Sequence, residues 1–264
     1  MSEIITDAAL LQKYTEKAMQ EPEVVIETKA PAESLVELPG GFVNMSNEVV
    51  YTAEVRELTG ADEEAIAKAS TTGKALITLL ERGLEKIGDA VPTTADIDSL
   101  LSGDRDAILL GIRKMTFGND LDLTATCRSC DTKQDIVVDL SKDVPVRELK
   151  DSSNARQWNM ETKAGVVTVN LPNGVVQKKL YDVFDKTTAE VNTTLLSGCI
   201  VALDGRPVFG NNVALGLSVS DRAKVLDEIV TRNPGPRLGE VKKTCQACEK
   251  EIELPLSLVD LFRF

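Results

Sequence analysis

The chain has 264 residues, a formal net charge of −12, 42% hydrophobic but only 4% aromatic residues, five cysteines and no histidine. That length buries a sizeable core, as one large domain or two ordinary ones, resting here on Leu, Val, Ile and Ala. The acidic balance argues against nucleic acid, whose phosphates need clustered Lys and Arg, and no apolar run approaches the roughly 20 residues that span a bilayer. The opening MSEIITDAAL has an acid at Glu3 and no basic segment, so it does not read as a secretory signal. In a reducing cytoplasm, paired cysteines point to metal more than to disulfide.

Residues 5–20 place Leu10, Leu11, Tyr14, Ala18 and Met19 at helical spacing behind Thr6 or Asp7 as N-cap. The acidic, proline-containing EPEVVIETKAPAES follows, so 1–34 is assigned as an N-terminal helix and arm, docked on a partner or on its own domain. From residue 35 a set of features occurs twice. Val36-Glu37-Leu38-Pro39-Gly40-Gly41 is matched by Val169-Asn170-Leu171-Pro172-Asn173-Gly174. A helix start capped by Thr59, with Asp62, Glu63 and Glu64 behind it, is matched by Thr187 with Glu190. Leu-rich segments follow, ALITLLERGLEKIGD and NTTLLSGCIVALDG. Ser102–Leu109 then aligns with Val219–Leu226, superposing Asp104-Arg105 on Asp221-Arg222, and each half closes with Thr-Cys-x-x-Cys and a strand. A period above 100 residues means a domain pair, not a solenoid.

The chemistry lies in Cys127, Cys130, Cys245 and Cys248. Two cysteines separated by two residues can turn both sulfurs toward one ion, and two such knuckles complete a tetrahedral four-thiolate structural zinc site. LDLTAT before Cys127 and the alternating Gln134–Leu140 after Cys130 read as a β-hairpin with the knuckle at its tip. RLGEVKK and EKEIELPLSL flank the second knuckle in the same way. A compact zinc ribbon separates its knuckles by about 15–20 residues, whereas here they lie at corresponding ends of two halves, which predicts a shared site about a pseudo-twofold axis. Four cysteines also suit an iron–sulfur cluster, and two independent dithiols or disulfides are a third reading. Catalytic zinc is disfavoured, because it needs an open position and usually histidine. Cys199, among apolar neighbours in SGCIVAL, reads as a buried free thiol.

The predicted fold is therefore α+β: two duplicated helix-plus-β-hairpin units, 35–150 and 151–264, each ending in a CxxC knuckle and joined by a shared zinc-ribbon-like site. Leu38–Gly41 and Asn233–Pro236 read as turns, and Asp104 and Asp221 as helix-start residues with a local salt link. With no nucleophile elbow, phosphate loop or carboxylate pair, no catalytic constellation is legible, and the chain is not expected to be an enzyme.

The stretch DRDAILLGIRKMTFGNDLDLTATCRSCDTKQDIVVDL resembles the baseplate-hub proteins of T4-like contractile-tailed bacteriophages. Those share a Leu-rich helix, a G-D-R-x-x-L-L element, a helix ending near Gly, then C-x-x-C and a V-x-V-D-L strand. The resemblance covers residues 35–145 best and continues more weakly over 165–264. It implies a structural protein of the virion tail or baseplate hub, made in the host cytoplasm and contacting other tail proteins in a symmetric assembly, without nucleic acid or membrane. Two other readings stay open: a tail or hub assembly chaperone that leaves before the virion matures, and a cytoplasmic zinc-ribbon adaptor.

Overall fold

Strands β1 (Leu35–Val43) and β2 (Val49–Val55) open the described chain as an antiparallel hairpin. The structure, a computed structural model, describes residues 34–262 apart from 153 and 184; the helix expected over 5–20 and the arm up to residue 33 lie outside the described residues. Helices α1 (Gly60–Ala67) and α2 (Thr72–Gly83) follow, and α2 passes straight into β3 (Leu84–Ile87), which completes a sheet of order β1-β2-β3. Next come α3 (Thr94–Ser99), the long α4 (Ser102–Phe117) and the two-stranded ribbon of β4 (Asp120–Thr126) and β5 (Lys133–Asp139).

After the short β6 (Val146–Arg147) the same order recurs. Hairpin β7 (Gln157–Thr162) and β8 (Gly165–Asn170) leads to α5 (Gly174–Tyr181) and α6 (Thr188–Cys199). Helix α6 passes straight into β9 (Ile200–Leu203), then β10 (Arg206–Pro207), a short α7 (Asn212–Gly216) and a long α8 (Val219–Arg232). Strand β11 (Gly235–Pro236) and a 3-10 turn at Leu238–Glu240 precede the closing ribbon, β12 (Lys242–Thr244) and β13 (Glu251–Glu253), and then α9 (Leu258–Phe262). The second sheet has the order β10-β9-β8-β7. The architecture is α+β.

Local chemistry starts these helices. Thr71, Asn173 and Ser218 accept the N–H of Lys74, Val176 and Asp221 through their side chains, and Thr93 with Asp96 and Thr187 with Glu190 form capping boxes. The element order also reassigns two of the sequence matches. Val169–Gly174 leaves the second strand of its hairpin, so its positional counterpart is Val55–Gly60 and not Val36–Gly41. The Thr59 cap corresponds to Asn173, and Thr187 to Thr71. Nor is Leu38–Gly41 a terminal turn: it lies inside β1, where the pairing register shifts between Glu37 and Phe42. Gly40 allows this, because a Cβ there would sit 2.6 Å from Leu101 and 2.7 Å from the Asp104 carboxylate.

Three apolar clusters hold the described chain together. Leu38, Val55, Leu79, Ile108 and Ile112 centre one between the first sheet and α2 and α4. Val167, Val169, Leu196, Val225 and Ile229 centre another between the second sheet and α6 and α8. The third is shared: Leu121 and Val138 of the first ribbon pack with Val241 and Ile252 of the second and with Leu261 of α9. Each such side chain contributes about 1.5–3 kcal/mol by leaving water. Backbone bonds also join the two series of elements, Ser102 N–H to Pro172 O at 2.9 Å and Gly174 N–H to Leu100 O at 3.0 Å. β6 pairs with β11.

Candidate metal centre

The shared cluster is where the four cysteines meet. Both CxxC segments close the same turn. Cys127 N–H donates to Thr132 O and Asp131 N–H to Cys127 O; Cys245 N–H donates to Lys250 O and Glu249 N–H to Cys245 O. The residue after each second cysteine is left-handed, Asp131 at φ 55° and Glu249 at φ 60°, which rolls the chain back so that both sulfurs of a knuckle face the same side. Ribbon pairing from Asp120↔Asp139 to Thr126↔Lys133 delivers the first knuckle, and Lys242↔Glu253 to Thr244↔Glu251 delivers the second.

The four sulfurs lie within 4.8 Å of one another. The shortest separations run between hairpins, 3.7 Å from Cys127 Sγ to Cys248 Sγ and 3.7 Å from Cys130 Sγ to Cys245 Sγ. Metal–sulfur bonds of about 2.3 Å in a tetrahedron require sulfur–sulfur edges of about 3.8 Å, so the spacing suits one ion. Cys127 and Cys245 are fully buried and Cys130 and Cys248 half-buried, the same alternation in each knuckle. Gln134 of β5 accepts the Gln246 N–H at 3.1 Å, so the first ribbon also positions the backbone of the second knuckle.

Electrostatics divide the thiols. The Ser129 N–H, donating at 3.4 Å, holds Cys127 below the ordinary thiol range, and Thr132 brings Cys130 down to about 6. At Cys248 the Lys250 N–H favours the thiolate, but burial and three sulfur neighbours outweigh it and push the thiol up to about 12. Four thiolates this close repel one another, and a divalent cation among them removes that obstacle. The donor set is all sulfur, the type that soft or borderline ions prefer. Cys199, the last residue of α6, is a free thiol among the described residues, and desolvation by burial pushes it up to about 12.

The repeated Asp-Arg pair sits away from the sulfurs; Arg105 has an ion pair at 3.9 Å with Asp98 of the short helix α3, and hydrogen bonds to backbone do the rest. Arg105 donates to Ile97 O at 2.8 Å, and Arg222 donates to Ala214 O at 2.5 Å. Each thereby grips the short helix eight residues upstream. Asp104 accepts the Gly40 N–H in β1, and Asp221 accepts the Lys163 N–H in the β7–β8 turn. The pair is a brace between the long helix, the short helix and the first hairpin of each series. Sequence reasoning missed the role of Gln177, which accepts from Arg105 at 2.6 Å and donates to Asp106 at 2.8 Å; a glutamine in a helix gives no signal of partners 72 residues away.

Fold and site define an α+β protein carrying a four-cysteine arrangement compatible with one bound metal ion. A family model described as T4 bacteriophage base plate protein matches residues 43–205, more than half of the chain, and the chain belongs to that family. Membership carries a structural role in the phage tail baseplate, a place in the virion tail and association with other tail proteins. The match takes in Cys127 and Cys130 and stops short of Cys245 and Cys248. No curated protein and no solved structure matches the chain. Among the described residues no helix is long and apolar enough to cross a membrane.

Proposed function

We propose that the chain is a non-catalytic scaffold of the baseplate hub, built from two duplicated units and stapled by one structural zinc ion on Cys127, Cys130, Cys245 and Cys248. The observation that carries the zinc reading is the set of four sulfurs, all within 4.8 Å, on two knuckles of identical backbone pattern. An iron–sulfur cluster interposes iron and sulfide between its cysteines and needs them farther apart than one ion does. Disulfides within each CxxC fit poorly, since the shortest contacts pair cysteines of different knuckles. Bound zinc would supply charge neutralisation and four strong bonds, and the chain supplies four thiol donors, two fully buried and two half-buried, which fill a tetrahedral shell.

Duplication is supported by the recurring element order and by the Asp-Arg braces, whose arginine contacts span the same eight residues in both units. The zinc is not the sole clasp in this reading, because backbone bonds and β6–β11 pairing also join the units. Metal analysis of freshly purified protein tests the proposal: about one zinc per chain is expected. A folded protein with no metal, or with disulfides inside each CxxC, would contradict it. Mass spectrometry of purified particles separates a permanent component from an assembly chaperone, which would be missing from them.

A further inference from the structure

The two shortest sulfur separations, both 3.7 Å, pair Cys127 with Cys248 and Cys130 with Cys245. Each pair joins one ribbon to the other, across 121 and 115 positions of sequence, and sets a fully buried sulfur beside a half-buried one. The pairs share no atom, so both can be bonded at once. Disulfide sulfurs lie about 2.05 Å apart, so each pair has to close by about 1.6 Å. Both ribbons are two-stranded, with no third strand to hold either tip, and can share that shift between them. A bridge inside one CxxC closes a short local loop and joins nothing to the other ribbon. A bridge between knuckles holds together what the zinc holds, and long loops are the ones a cross-link constrains most.

A virion protein passes from the reducing interior of a cell to surroundings in which disulfides persist. We propose that the four cysteines form a redox-exchangeable staple: on oxidation by a peroxide the zinc leaves, and two bridges, Cys127 to Cys248 and Cys130 to Cys245, take over the joining of the ribbons. The inference rests on the zinc reading above. Cys130 and Cys248, the half-buried sulfurs, are the ones a peroxide reaches. Attack by such a thiolate breaks the O–O bond and gives a sulfenic acid and a hydroxide. The facing buried thiolate, Cys245 or Cys127, then attacks that sulfur; the S–S bond forms, the S–O bond breaks and a second hydroxide leaves. Two protons from solvent turn the hydroxides into water. For each bridge two thiolates lose two electrons in all and one peroxide gains them, and the zinc departs as the hydrated ion.

The test takes the full chain, with its metal content measured first, treats it with hydrogen peroxide in small excess over thiols, and blocks the remaining thiols at acid pH. Trypsin then cuts after Arg128, between Cys127 and Cys130, and after Lys243 and Lys250, which flank Cys245 and Cys248. Bridges between knuckles are expected to link three peptides into one species, and fragmentation between Cys245 and Cys248 in the mass spectrometer is expected to return the stated pairing. Zinc release and the loss of four thiols should run together. Hydrogen exchange over residues 120–139 and 241–254 should stay slow in the oxidised protein. Bridges inside each CxxC, the alternative pairing of Cys127 with Cys245 and Cys130 with Cys248, higher sulfur oxides without bridges, or ribbons whose exchange accelerates on oxidation would each overturn the proposal. Zinc absent before oxidation would count against the zinc reading alone, because the bridge map is read in the same way without it.

Discussion

The Gly40 N–H donates to the Asp104 carboxylate at 2.6 Å across 64 residues of chain, and the second carboxylate oxygen of Asp104 is buried without a partner. Asp221, in the first turn of α8 as Asp104 is in that of α4, lies under opposite electrostatics. The Ser218 hydroxyl donates to Asp221 at 2.7 Å and holds it below the ordinary carboxylate range. Asp104 has Leu101 where Asp221 has Ser218. Burial therefore dominates and lifts it to about 7, despite the Gly40 N–H and the nearby Arg156 guanidinium.

A pH dependence follows. A carboxyl whose folded-state pKa is raised favours folding most below its unfolded value and loses that contribution as pH rises through the folded value. Burial lifts Asp106 to about 6 in the same direction, against its bond from Gln177. Stability is expected to fall by a few kcal/mol between roughly pH 4 and pH 8 from these groups. Denaturant titrations should show the slope reduced in Asp104→Asn, whose amide cannot ionise. An unchanged slope would remove Asp104 as its source.

The two arginine braces should differ in weight. Arg105 is 1% exposed and satisfies Ile97 O and Gln177 in the interior, so Arg105→Ala leaves buried polar groups unpaired. A loss of about 3–5 kcal/mol is expected. Arg222 is half-buried and bonds Ala214 O and the Thr193 hydroxyl near solvent. Arg222→Ala should cost about 1–2 kcal/mol, since water replaces its bonds. Equal losses in chemical denaturation would contradict this asymmetry.

Much of the site was legible because its signals are local. Cys-x-x-Cys and the alternating strand after Cys130 lie within one short stretch, and Asp104-Arg105 over Asp221-Arg222 is an alignment of identical neighbours. The misassigned matches failed for a physical reason. A threonine followed three residues later by a carboxylate is a valid helix start at Thr59, Thr93 and Thr187 alike, so a local signal cannot say which two starts correspond. Leu38-Pro39-Gly40-Gly41 has turn composition, yet packing against Leu101 and Asp104 keeps it inside a strand. The bonds from Arg105 to Gln177 and from Gln134 to the second knuckle join residues far apart in sequence and have no periodicity to read.

Cys199 should behave unlike the other four cysteines. It is buried among Leu196, Val225 and their neighbours, and its raised pKa keeps it protonated at neutral pH. Thiol labelling of chelated, folded protein is expected to modify the four knuckle cysteines and spare Cys199 until the chain unfolds. Cys199→Ser should leave metal content unchanged while costing about 1–3 kcal/mol for burying a hydroxyl. Loss of metal in that variant would place Cys199 in the site.

Removing the proposed zinc should act on one of the three cores first. The knuckle sulfurs share a cluster with Leu121, Val138, Val241, Ile252 and Leu261, whereas the clusters under α2 and α6 contain none of the four ligands. Cys127→Ser, or chelation, leaves the knuckles without their proposed cation, and the ribbons then rest on shared apolar packing and the Gln134 bond to the Gln246 N–H. Structural zinc binding is itself folding free energy, so the ribbons should open while the remaining cores persist on their own apolar burial and on the backbone bonds between units. Hydrogen exchange should accelerate over residues 120–139 and 241–254 and stay slow in α2, α4 and α6. Uniform acceleration throughout the chain would mean that the zinc governs global stability. Unchanged exchange at the ribbons would mean that it contributes nothing to holding them.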